Sequence, residues 1–68
     1  MYKIKEETAN LIRTRYKAKY VAETIGVSAI LLSLVMRNKK PASKKIAYAI
    51  TKFLNPEAEI EDYFERIV

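Results

Sequence analysis

The stretch Val21-Ala22-Glu23-Thr24-Ile25-Gly26-Val27-Ser28, continued by Ala29-Ile30-Leu31-Leu32-Ser33-Leu34-Val35-Met36, decides how this chain folds. Val21, Ala22 and Ile25 recur three and four residues apart, the spacing that puts side chains on one face of a helix. Gly26, the only glycine in the chain, follows at once. A glycine just past a periodic segment ends a helix by turning left-handed, because it has no side chain to clash at positive φ. Ser28 then stands where a hydroxyl can accept a backbone N–H of a new helix. The reading is a helix over residues 18–25, a turn of about three residues, and another helix over about 28–37, counting its cap. Two short helices joined so closely dock at a steep angle, and Ala22 leaves room for the approach.

Working outward, a first helix is expected over about 5–16, with Ile4, Thr8, Leu11, Ile12 and Arg15 along one stripe and Leu11 and Ile12 the most buried. Behind the third helix, the segment Asn38-Lys39-Lys40-Pro41-Ala42-Ser43 reads as a loop. Pro41 biases its predecessor away from helical geometry, and Ser43 can cap the next helix. That fourth helix, over residues 44–54, would turn Ile46, Ala49, Ile50, Phe53 and Leu54 inward. Asn55-Pro56 reads as a cap and first-turn proline, with Glu57 and Glu59 near the positive end of a fifth helix. Ile60, Tyr63, Phe64 and Ile67 would form its apolar stripe. The expectation is an all-α fold: one compact five-helix domain over residues 1–68, with the helix-turn-helix at its centre.

Composition supports this class. Half of the 68 residues are hydrophobic and 31% are charged, as in globular domains. One glycine and two prolines supply few strand turns. The chain has no cysteine and no histidine, which excludes disulfide staples and the usual zinc-finger ligand sets. Without those side chains nucleophilic catalysis has little to work with, and there is no glycine-rich phosphate loop. Glu59, Glu61, Asp62 and Glu65 read as a solvated helix face, so no enzyme, cofactor or metal is expected. The opening residues lack an apolar run behind a basic head, and no run approaches membrane-spanning length. A cytoplasmic protein without membrane contact is the expectation.

Charge is unevenly spread. Ten basic residues, Arg13, Arg15, Lys17, Lys19, Arg37, Lys39, Lys40, Lys44, Lys45 and Lys52, are opposed within their span only by Glu23. After Asn55 the sign reverses, with Glu57, Glu59, Glu61, Asp62 and Glu65 against Arg66 alone. One basic cluster precedes the second helix and the other follows the third. Placed so, they would grip the two strands of a duplex while the third helix enters the major groove. Tyr16 and Tyr20, one turn apart beside the first cluster, could add a phosphate hydrogen bond.

The residues Val21 to Ser28, followed by Leu32-Ser33 and Val35, resemble the helix-turn-helix of the phage repressor and Cro-like (XRE) family. That family commonly reads leucine-Ala-x-x-leucine-Gly-valine-Ser and then apolar-Ser-x-apolar. The resemblance covers nearly the whole chain. It implies a repressor-type fold and a sequence-specific DNA-binding transcriptional regulator of phage or mobile-element type, acting on double-stranded operator DNA as a homodimer. It implies base-facing roles for Ala29, Ile30, Ser33 and Leu34. It implies backbone contacts for Lys17, Ala18 and Lys19, phosphate contacts for Lys39, Lys40, Lys44 and Lys45, and a buried side of Leu32 and Val35 with Leu31 at its margin. Arg37 and Tyr16 join the expected phosphate-contacting set from their places in the basic clusters. A dimer would use the last helix through Tyr63, Phe64 or Ile67.

At the base-facing positions the family usually carries polar side chains, whereas this chain has Ala29, Ile30 and Leu34. Such groups can touch thymine methyls but cannot make the bidentate bonds that separate bases sharply. The apolar row therefore admits three readings: a methyl-reading surface, part of the core, or a protein-binding face. In the last case the chain would be an interaction module that modulates a partner regulator or host factor.

Overall fold

Tyr2, Lys3 and Ile4 point inward, outward and inward, and they form a short strand, β1 (Tyr2–Ile4). The computed structural model describes residues 1–67. After β1 come α1 (Glu6–Arg15), α2 (Ala18–Ile25), α3 (Ala29–Met36), α4 (Lys44–Leu54), the single turn α5 (Ile60–Tyr63) and β2 (Phe64–Arg66). β2 lies antiparallel to β1, with Tyr2 opposite Arg66, Lys3 opposite Glu65 and Ile4 opposite Phe64. The other edge of β1 meets the loop before α4. Tyr2 N–H donates to the Ala42 carbonyl and Ala42 N–H donates back, both at 2.8 Å.

The all-α expectation is corrected on this point: the fold is mostly helical, with a two-stranded sheet joining its ends. Three residues are too few to display a period of two, and the pairing partner lies at the far end of the chain. The fifth helix is corrected too. Asn55 Oδ1 accepts from Glu57 N–H at 3.1 Å, so Asn55-Pro56-Glu57 is a turn and Pro56 is not a first-turn residue of α5. α5 stops after Tyr63 because Phe64 takes an extended backbone and buries its ring beside Ile4. A helical stripe of Ile60, Tyr63, Phe64 and Ile67 does not exist.

The interior is built around Ile4, Ile12, Val21, Leu32, Val35, Ile50 and Phe64, all fully buried. α1 contributes Thr8, Ala9 and Ile12, while Leu11, expected to be among the most buried, is half-buried. α4 turns Ala47, Ile50 and Thr51 to the core and leaves Ile46, Ala49, Phe53 and Leu54 half-buried. Each helix buries one isoleucine, Ile12 or Ile50, together with an alanine and a threonine. Thr8 Oγ1 donates to the Tyr63 carbonyl at 2.8 Å, tying α1 to the end of α5. Among the described residues, no single helix is long and apolar enough to cross a membrane.

Two stability outcomes follow. Thr51 Oγ1 is buried without a hydrogen-bond partner. Replacing the hydroxyl with an isosteric methyl in Thr51→Val should raise unfolding free energy by about 1 kcal/mol, since a buried unsatisfied group costs about 1–3 kcal/mol. A urea titration showing lower stability would mean that the hydroxyl is satisfied in solution. Gly26 has φ +80° and no atom within 4 Å of where a Cβ would sit. Gly26→Ala should therefore cost only the left-handed backbone strain, about 1–2 kcal/mol, read from the same titration.

Candidate nucleic-acid interface

The corner between α2 and α3 sets the geometry of this surface. Gly26 takes the left-handed conformation, and its N–H and that of Val27 both donate to the Ala22 carbonyl at 2.9 Å. Ser28 Oγ accepts from Leu31 N–H at 3.0 Å and starts the next helix. The chain direction turns by 115° between α2 and α3, within the range of helix-turn-helix units.

α3 is divided lengthwise. Leu32, Val35 and Met36 are buried, and Leu31 packs at the margin of the core. Ala29 and Ile30 are exposed, Ile30 to 76%, while Ser33 and Leu34 are half-buried on the outer side. Ile30, Leu34 and Arg37 follow at spacings of four and three residues, so the outward face ends in a guanidinium. The row at Ala29, Ile30 and Leu34 is thus not part of the core.

The basic residues expected to contact phosphates are all exposed: Lys17 and Lys19 at the start of α2, Arg37, Lys39 and Lys40 behind α3, and Lys44 and Lys45 in the first turn of α4. Lys17 is the N-cap of α2 and supplies no side-chain cap, and no acidic residue occupies the first turn. This helix start is free of competing negative charge, unlike α1, whose first turn holds Glu6 and Glu7. The structure does not keep all the lysines together. Lys45 lines a hollow with Ile25, Gly26 and Val27, beside the corner. Lys44 instead lines a groove with Tyr48, Lys52, Glu59 and Arg66, toward the tail. Adjacent helical positions diverge by about 100°, which is enough to send them to different sides.

Tyr16 is half-buried, with its ring edge-on to Phe53 at 5.1 Å, and Tyr20 meets the same ring at 6.1 Å. Both tyrosines therefore fasten the α1–α2 junction to α4. Of the tail candidates for self-association, Phe64 is corrected outright: it is 1% exposed and belongs to the core. Tyr63 packs half-buried against that core, and Ile67 is exposed.

Arg13 has a role that sequence reasoning missed. Its guanidinium donates to the Met36 carbonyl at 3.4 Å and to Asn10 Oδ1 at 3.5 Å. A cation at the C-terminal end of α3 suits the helix dipole and links that helix to α1. Twenty-three residues separate the partners, and no local pattern announces the contact.

Compared with protein-family models, curated proteins and solved structures, the chain matches none.

Loss of the Ser28 cap in Ser28→Ala should cost about 1 kcal/mol. In a domain of this size that corresponds to a melting temperature lower by about 4–8 °C, measurable by circular dichroism. An unchanged melting temperature would show that the start of α3 is held by packing alone.

Proposed function

We propose that this chain is a sequence-specific regulator that binds duplex DNA, with α3 entering the major groove. The observation that carries the reading is the 115° corner that leaves Ala29 and Ile30 exposed at the start of α3, with exposed cations at the start of α2 and in the loop after α3. Lys17, Lys19 and the uncapped amides of α2 would hold phosphates of one strand. Arg37, Lys39, Lys40 and Lys45 would hold the other. Ala29, Ile30 and Leu34 would lie against thymine methyls, and the Ser33 hydroxyl could bond either a donor or an acceptor on a base edge. With few bidentate contacts, part of the selectivity would come from sequence-dependent DNA shape. The resemblance to phage repressors supports a homodimer, with half-sites about 34 Å apart.

Selection from a random duplex library at physiological salt should enrich a palindrome containing A·T steps. About six neutralised phosphates would give a slope of log K against log salt near −5. The double variant Lys39→Ala/Lys45→Ala should reduce the magnitude of that slope by about 1.8 for any duplex, while Ile30→Ala should shift base preference. Unchanged binding in the double lysine variant would reject the arrangement.

A second reading rests on the exposure of Ile30 at 76%. A large apolar side chain beside Ala29 suits a protein partner, such as another regulator or a host factor. In that case the library would yield no motif, and Ile30→Asp would abolish a protein complex.

A further inference from the structure

Behind α3 the surface holds a hollow of about 360 Å³ lined by Lys3, Asn38, Lys39, Lys40, Pro41 and Ile67. Three elements meet there: the outward face of β1, the α3–α4 loop and the residue after β2. Lys3 is the one outward residue of β1, with Tyr2 and Ile4 buried on either side of it in sequence. The paired bonds between Tyr2 and Ala42 fix β1 directly beside the loop that carries Lys39 and Lys40. Asn38, at φ +56°, turns that loop out of the helix axis. The amides of Lys39 and Lys40 are already used, both donating to the Leu34 carbonyl at 2.9 and 3.3 Å. With those amides used, an anion in the hollow would meet the side chains of three lysines and the Asn38 amide, beside Pro41 and Ile67.

We infer that Lys3, brought to Lys39 and Lys40 by β1, completes a three-lysine site for the phosphate backbone of duplex DNA. The inference rests on the DNA-binding reading and adds to it a residue on a strand outside the helix-turn-helix. Lysine is a flexible point charge, suited to a phosphate that needs no bidentate geometry. Glu65 lies directly across from Lys3 in the sheet, on the same face. Its carboxylate opposes any phosphate in the hollow and lowers what Lys3 contributes.

The test uses the full chain and its variants with a random-sequence duplex, following fluorescence anisotropy over a series of salt concentrations. Thermal melts of each variant serve as the check on folding, and exposed Lys3 tolerates substitution. Lys3→Ala should reduce the magnitude of the salt slope by about 0.9, and with it affinity at about 0.1 M salt by about eightfold. Lys39→Ala should do the same. Glu65→Gln should strengthen binding about threefold, the scale of an exposed charge pair. A slope unchanged in Lys3→Ala but reduced in Lys39→Ala would overturn the inference and leave the DNA-binding reading standing. Absence of salt-dependent duplex binding by the unsubstituted chain would remove both.

Discussion

β1 is hydrogen-bonded on both edges, and the arrangement of the other elements depends on it. On one side Tyr2 exchanges two bonds with Ala42; on the other the strand pairs with β2. Three residues thereby tie the N-terminus, the loop behind α3 and the C-terminal segment into one body. The inward side chains of the strand, Tyr2 and Ile4, join the core together with Phe64, so the pairing is backed by apolar burial. An isolated pair of three-residue strands would be marginal in water, and here the helices supply the missing face.

α3 is held from several directions without giving up its outer surface. Leu32, Val35 and Met36 anchor it from beneath, Ser28 closes its start and Arg13 reaches the carbonyl of Met36 at its end. Phe53 holds the end of α1 through Tyr16 and the first turn of α2 through Tyr20. A helix of eight residues has little stability of its own, so this fastening is what keeps Ile30 displayed.

Charge is uneven along the chain without being fully segregated in space, since Lys44, Lys52 and Arg66 line one groove with Glu59 and Glu61. Basic residues surround the helix-turn-helix, and the acidic residues concentrate around α5 and β2. Divergence of Lys44 from Lys45 shows that neighbouring charges in sequence need not serve one surface. Convergence of Lys3 with Lys39 and Lys40 shows the reverse, that charges far apart in sequence can.

Helices α2 and α4 have the boundaries that periodicity, Gly26, Ser43 and Asn55 predict, and the caps at Gly26, Ser28 and Ser43 lie where local chemistry requires them. These features depend on contacts within about four residues, so a linear reading contains them. The two sides of α3 were not legible in this way: Ala29 to Met36 is apolar nearly throughout, so its periodicity left open whether Ala29, Ile30 and Leu34 belong to the core, and the resemblance alone pointed to Leu32 and Val35 as buried. The two strands, the shortness of α5 and the burial of Phe64 were not legible either. Neither were the bond from Arg13 to α3 and the place of Lys3 beside the loop. Apart from the start of α5, which the local turn at Asn55 to Glu57 sets, each is decided by partners more than twenty residues away, where local periodicity carries no information and only the closing of the chain on its own core selects the outcome.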